Sequence, residues 1–304
     1  MAEKIINPLL KVVNKRSNMI NPYMLSNPNV IKITMSPTSN FQAGITLVFA
    51  PGTLTIDWKD GSAPENFISG TEKFHTYVTA GTYVAEISGN LLNITQFTAD
   101  ACRITHIENF KTGTLTQLNL NGNLISGLLD LRTVANFNNA NVYLSNAGLT
   151  NIISNPNWTG TIYQLHLQGS SLAGTLDLSK IGITSAIFTY NCINLTNIVY
   201  RSYGNGTMRF HQCYNCNLTY INYAEKGFSL AANDRNIQLQ NNNMTAEEVN
   251  HILVDLNNIA QLGYTGRSII INGSNASPDS LSGGYDGLTA KASLISKGFS
   301  VLTS

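Results

Sequence analysis

Three clusters in this 304-residue chain have residue types and spacings that could do chemistry. His211-x-Cys213-x-x-Cys216 is the most metal-like, because imidazole and thiolate are the usual ligands of zinc. A structural zinc site needs four such ligands, and no second Cys/His pair stands nearby in sequence. Asp57 and Asp60 form a carboxylate pair suited to acid–base work or to calcium, but no third acid or histidine follows at a useful spacing. A turn is therefore the better reading of that pair, and His75 reads as a hydrogen-bonded strand residue rather than a base. Gly283-Gly284 lacks the Lys-Ser/Thr that completes a phosphate loop, and neither a metalloprotease helix nor a nucleophile elbow is present. No catalytic residue, cofactor or metal is expected. Asn-x-Ser/Thr triplets at 93–95, 157–159, 194–196 and 217–219 would matter only in a eukaryotic secretory pathway.

The elements that position these residues are read from composition and pattern. Hydrophobic residues make up 43% of the chain and charged residues only 12%, with Asn, Thr, Ser and Gly filling the polar positions. That balance favours strands and turns over long Glu- and Lys-rich surface helices. A net charge of +1 gives no field to gather nucleic acid or an anionic membrane. No stretch reaches the roughly 18 apolar residues of a spanning helix. The first thirty residues lack the apolar core of a secretory signal, so manufacture without the general secretion route is expected. Four cysteines are too few for a disulfide scaffold of this size.

Residues 1–28, with Pro at 8, 22 and 28 and short apolar clusters, read as an extended arm. It is either a disordered tail or an arm ordered against a partner. From residue 29 the pattern changes to strands. Val30–Met35 alternates, Leu54–Trp58 leads into the turn Lys59-Asp60-Gly61-Ser62, and Tyr83–Ser88 follows Ala80-Gly81. Trp58 has the bulk to fill a space between sheets, and Asp60-Gly61 supports a tight reversal.

The run Ile56-Asp57-Trp58-Lys59-Asp60-Gly61-Ser62, then Phe74-His75-Thr76-Tyr77, then Ala80-Gly81-Thr82-Tyr83-Val84 resembles a polycystic-kidney-disease (PKD) type domain. Lys59 stands in place of that family's first glycine and Ala80 in place of its proline. The resemblance implies an immunoglobulin-like β-sandwich over 29–91, used for spacing and adhesion. Trp58, Asp60, Gly61, His75, Tyr77, Gly81 and Tyr83 would be its structural motif.

From residue 92 an apolar frame at offsets 0, +2 and +7 recurs. Its copies are Phe97/Ala99/Ile104, Leu118/Leu120/Ile125, Val142/Leu144/Leu149, Leu165/Leu167/Leu172, Phe188/Tyr190/Leu195, His211/Cys213/Leu218, Ile237/Leu239/Met244 and Ile269/Ile271/Ala276. Successive starts lie 21, 24, 23, 23, 23, 26 and 32 residues apart, and among these positions His211 alone is not apolar. The register resembles leucine-rich repeats, in which each coil buries an edge against its neighbour. Offset +5 would be that family's Asn/Cys ladder slot. Cys102, Asn123, Cys216 and Asn242 fit it; Ala147, Ser170, Ile193 and Ser274 fit poorly. An ordinary β-helix is the rival architecture. In this frame Cys213 takes an inward slot and Cys216 a ladder slot, as small buried thiols do. Cys102 and Cys192 read as unpaired.

Thr245-Ala246-Glu247-Glu248 reads as a capping box, followed by Val249, Ile252, Leu253 and Leu256 on one helical face. A strand at 268–272, a second short helix at about 288–297 stopped by Gly298, and a last strand from Phe299 would close the solenoid. The segments Ile252-Leu253-Val254-Asp255-Leu256, Ile271-Asn272-Gly273, Leu288-Thr289-Ala290 and Lys297-Gly298-Phe299-Ser300-Val301 resemble the ends of repeat-containing structural proteins in phages and prophages of gut Bacteroidota.

The expected whole is mainly β: an arm (1–28), a PKD-like sandwich (29–91), and an irregular leucine-rich-repeat-like solenoid with two short carboxyl-terminal helices (92–304). Strand residues between the inward positions face outward. Asn119, Tyr143, His166, Thr189, Gln212 and Gln238, flanked by Phe210 and Tyr214, make a candidate binding face of amides and aromatics. A non-enzymatic virion protein is the expected role (head decoration, fibre or tail-associated), attached to other virion proteins through its arm and able to meet a host glycan or protein. Self-association is open. A bacterial surface or secreted adhesin that binds glycan or protein is the alternative. Neither nucleic acid binding nor membrane insertion is expected.

Overall fold

The computed structural model describes residues 29–202, 207–221, 223, 225–226, 228–230, 233–263 and 265–304. The arm read at 1–28 lies outside the described residues. Among the described residues the chain is mainly β, with two α-helices and a β-solenoid of about six turns.

Alternation of apolar and polar side chains builds the first strands: β1 (Val30–Met35), β2 (Phe41–Phe49), β3 (Leu54–Asp57), β4 (Glu65–Asn66), β5 (Glu72–Tyr77) and β6 (Tyr83–Gly89). β2 went unread in the sequence, although Ala43, Ile45 and Leu47 alternate inward and are fully buried. The next strands are β7 (Ile94–Thr98), β8 (Ile104–Glu108), β9 (Thr112–Asn119), β10 (Gly127–Asp130), β11 (Val134–Tyr143), β12 (Leu149–Ile153), β13 (Thr161–His166), β14 (Ala173–Leu178) and β15 (Gly182–Phe188). Then come β16 (Asn194–Tyr200), β17 (Thr207–Met208), β18 (Phe210–Gln212), β19 (Ser229–Leu230), β20 (Asn233–Gln238), β21 (Thr265–Ile271) and β22 (Phe299–Thr303).

One sheet has the order β4-β3-β6-β1-β8; a second, of eleven strands, runs β22-β21-β20-β18-β15-β13-β11-β9-β7-β2-β5. Antiparallel pairing near the amino end gives way to parallel pairing from β7–β9 onward. Both sheets cross residues 91/92. β8 pairs with β1 through Ile33↔Ile107, and β7 pairs with β2 through Leu47↔Phe97. The two segments read as sandwich and solenoid therefore share their sheets and a single buried cluster.

Within the solenoid the inward column pairs strand to strand as Phe97, Leu118, Val142, Leu165, Ile187, His211, Ile237 and Ile269. The fifth copy of the frame thus starts at Ile187, one residue before the position read from sequence. Ile187 and Thr189 are fully buried, while Phe188 faces outward and Ile193 is 66% exposed. The companion residues Leu120, Leu144 and Leu167 lie on adjacent coils and are fully buried. Each coil ties to the next by the N–H two places after the column: Leu120 N donates to Tyr143 O and Leu144 N to His166 O, both at 2.8 Å.

Two further columns shape the bend after each strand. Offset +4 holds Ala101, Gly122, Asn146, Gly169, Asn191, Asn215, Asn241 and Gly273, all at positive φ. Glycine and asparagine tolerate that conformation best. Offset +5 is the ladder: Asn123, Ser170, Cys192, Cys216 and Asn242 donate to carbonyls of the preceding coil at Ala99, Leu144, Leu167, Thr189 and Cys213. Cys192 therefore occupies the slot read for Ile193, and Asn275, donating to Leu239 O, the slot read for Ser274. The ladder asparagines also accept: Ile104 N donates to Asn123 and Leu218 N to Asn242. Buried backbone groups that the bend strips from the sheet are satisfied in this way.

The carboxyl end closes the stack with α1 (Ala246–Ile259) and α2 (Gly287–Ser296). The capping box forms as read, with Thr245 Oγ1 accepting from Glu248 N and Glu248 accepting from Thr245 N. Val249, Ile252, Leu253 and Leu256 are fully buried. Asn250, unread as core, is buried too; its amide donates to Asp279, Ser282 O and Tyr285 O and accepts from Asp279 N, pinning the loop before α2. Among the described residues no helix is long and apolar enough to cross a membrane.

Candidate functional site

The eleven-stranded sheet turns its second face to solvent. One outward column runs Thr98, Asn119, Tyr143, His166, Phe188, Gln212, Gln238, Ile270 and Leu302, each paired in register with the next. The column two residues earlier is Gln96, Gln117, Asn141, Gln164, Ala186, Phe210, Asn236, Ser268 and Ser300. Neither contains an Asp, Glu, Lys or Arg. Of the residues expected on this face, Asn119, Tyr143, His166, Phe210, Gln212, Tyr214 and Gln238 are partly exposed. Thr189 is not: it is fully buried, because the fifth coil is set one residue earlier and turns Thr189 inward and Phe188 out.

The aromatics are stacked along the solenoid axis. Tyr143 and His166 have centroids 4.8 Å apart, His166 and Phe188 4.3 Å, and Phe188 and Phe210 6.3 Å. Beside this row Tyr190 lies parallel to Tyr214 at 4.7 Å with 1° between planes. Rings inside a stack spend their faces on one another and show solvent only edges and hydroxyl tips. Burial drives the His166 imidazole down to about 4, so it is neutral at pH 7. In the column two residues after, Gln168 and Gln240 flank the tyrosine pair; the Oε1 atom of each is shielded from solvent and has no hydrogen-bond partner among the described residues.

Tyr190 and Phe188 were missed as outward residues, and the signal that locates them is the Gly/Asn column. Setting Asn191 in line with Asn215 and Asn241 fixes the fifth coil's register, and the structure joins those three side chains in an amide ladder at 2.9 Å per bond.

His211, Cys213 and Cys216 are all buried in the interior. His211 is fully buried, with Nε2 2.8 Å from the Tyr200 hydroxyl and Nδ1 hydrogen-bonded to the Tyr223 hydroxyl. Burial pulls its pKa down to about 3. Burial also raises both thiols, Cys216 to about 12. Cys216 donates to Thr189 O at 3.1 Å. Neutral thiols and a histidine whose two nitrogens both face tyrosine hydroxyls are packing groups. Among the described residues no group of three or more metal-ligating side chains is assembled.

The amino-terminal motif residues also converge. Trp58 is fully buried, stacks on His75 at 4.7 Å, and donates to Glu65 at 3.1 Å. Tyr77 meets both Trp58 and His75 edge-on and packs against Tyr83. His75 Nε2 lies 2.7 Å from Asp60 Oδ2. Burial alone would raise the Asp60 carboxyl, but hydrogen bonds from Ser62 and His75 outweigh it and draw the value down to about 2. Asp57 accepts from Lys59 N and Asp60 from Ser62 N, so both acids brace the turn. Gly61 there has φ of 95°; Gly81, at the next turn, donates to Pro37 O.

Fold and face together define a β-solenoid that shares its main sheet with an antiparallel amino-terminal layer and presents an uncharged aromatic and amide surface. Comparison with protein-family models, with curated proteins and with solved structures finds no match for this chain.

Proposed function

We propose that this chain is a non-catalytic display protein of a virus particle, built to carry a recognition surface rather than to turn over a substrate. In this reading residues 29–91 are a PKD-type, immunoglobulin-like unit and the coils that follow are irregular leucine-rich repeats. The Trp58/His75/Tyr77 cluster supports the first assignment, and the ladder of Asn123, Asn242 and Asn275 supports the second. The carboxyl-terminal segments that resemble phage and prophage repeat proteins support a virion location, with residues 1–28 as the attachment arm in this reading.

The observation that carries the reading is the outward face of the main sheet. It is continuous over coil after coil, rich in amides and rings, and free of the paired carboxylates that glycoside hydrolysis requires. Ordered, uncharged surfaces of this kind suit binding. Mass spectrometry of purified particles tests the location: the chain should be present at structural abundance, and its absence from particles overturns the virion assignment. A genomic neighbourhood lacking capsid and tail genes would favour a cell-surface adhesin using the same face.

A further inference from the structure

The outward face changes character between β18 and β20. From β11 to β15 the central column is aromatic, through Tyr143, His166 and Phe188. On β18 the same column holds Gln212, set between Phe210 and Tyr214, and β20 continues it with Gln238, paired to Gln212. Around Gln238 the outward positions are Asn236 and Gln240, so this stretch presents three amides. Both ring stacks therefore end on the same coil. Phe210 terminates the row that runs through Phe188, and Tyr214 terminates the pair begun by Tyr190. Toward β20 the outward positions hold amides in place of rings.

This is a change in chemistry as well as in sequence. Rings within a stack show their edges, but the last ring of a stack has a second face turned along the axis. Phe210 and Tyr214 stand on either side of Gln212, both turning that second face toward the amides of β20. Carboxamides place a donor and an acceptor side by side, which matches a pair of neighbouring hydroxyls. Gln240 Oε1 is shielded without a donor, an unfavourable state that a ligand hydroxyl would relieve once the amide turns outward. The outward positions from Phe210 to Tyr214 and from Asn236 to Gln240 hold no Asp, Glu, Lys or Arg, and Arg209, the cation preceding Phe210, donates to the Tyr163 hydroxyl at 3.2 Å. Ring faces, paired amides and zero charge describe a surface for a polyhydroxylated, uncharged ligand.

We propose that the step from β18 to β20 is a binding site for a neutral glycan, with Phe210 and Tyr214 as stacking walls and Gln212, Gln238 and Gln240 as the hydrogen-bonding floor. The proposal rests on the recognition-face reading and assigns that face its ligand class and position. An array of neutral, sialylated and sulfated oligosaccharides, probed with the full chain, gives the test. Neutral glycans are expected to bind, and Gln238→Ala and Tyr214→Ala to weaken the best of them at least tenfold. Lys180→Ala, at the turn after β14, should leave binding unchanged. Thermal unfolding of each variant separates lost contacts from lost folding; Gln238→Ala is the milder change if Tyr214→Ala is unstable. Binding confined to acidic glycans, absence of any glycan binding, or affinity unchanged in both folded variants overturns the site. Glycan binding abolished by Tyr143→Ala but not by Gln238→Ala would overturn this site while leaving the recognition face standing. Indifference to every outward substitution would remove both.

Discussion

A histidine in a leucine slot has to be satisfied where it lies, and His211 is held between the hydroxyls of Tyr200 and Tyr223. One ring nitrogen donates and the other accepts, so the neutral form fits and the charged form does not. The folded pKa lies near 3 against an ordinary 6.5, so the unfolded chain binds the extra proton between those values. The stability contribution is therefore complete above about pH 6.5 and is lost as pH falls toward 3. Between pH 7 and pH 5 the loss is on the order of 2 kcal/mol, and His166 adds to it in the same direction. Urea unfolding at both pH values should show this drop, and His211→Gln should reduce it to the share that His166 contributes; an equally steep drop in the variant would contradict the assignment. Ladder asparagines are a second residue-scale test. Asn242→Ala strands Cys213 O and Leu218 N in the interior, a loss of about 3 kcal/mol by chemical denaturation. The sequence marked His211 as the odd member of its frame but gave no sign of its partners, because Tyr200, at the end of β16, and Tyr223, on an irregular connection, sit 11 and 12 residues away outside the repeating frame.

At the scale of the element, the bends decide the register. Eight successive strands of the inward column are each followed, four positions on, by a left-handed residue, and Ala101 is the one member that is neither glycine nor asparagine. Ala101→Gly should raise stability by up to about 1 kcal/mol by relieving the left-handed strain. Gly169→Ala should lower it by more, since the added carbon would lie 2.1 Å from Asn146 Oδ1. Thermal melts of the two variants should move in opposite directions. The period of the apolar frame was legible because burial repeats coil by coil, and the capping box at Thr245 was legible because its chemistry is local. The fifth coil was set one residue late because Phe188 and Tyr190 look as apolar as Ile187 and Thr189 do not. Hydrophobicity alone favoured the rings, whereas the asparagine and cysteine columns hold the true alignment. Thr189 fell off the candidate face for that reason, and Phe188 and Tyr190 joined it.

For the whole molecule, the junction near residue 91 is a continuation of sheet. β1 needs β8, and β2 needs β7, to be paired on both sides; periodicity within each segment carries no record of such long-range pairing. A fragment ending at residue 91 should therefore unfold without a cooperative transition, while the full chain melts with its amino-terminal layer and first coils together. The central claim is that side chains between 97 and 276 line one interior of stacked coils. Spin-label distances between outward positions test it most directly. With about 4.8 Å per strand, Thr98→Cys paired with Gln238→Cys, six strands on, should read about 29 Å, and with Leu302→Cys, eight strands on, about 38 Å. The four native thiols are buried and stay unlabelled. Distances that lengthen with strand number support the stack; distances that fail to grow along the series would contradict it.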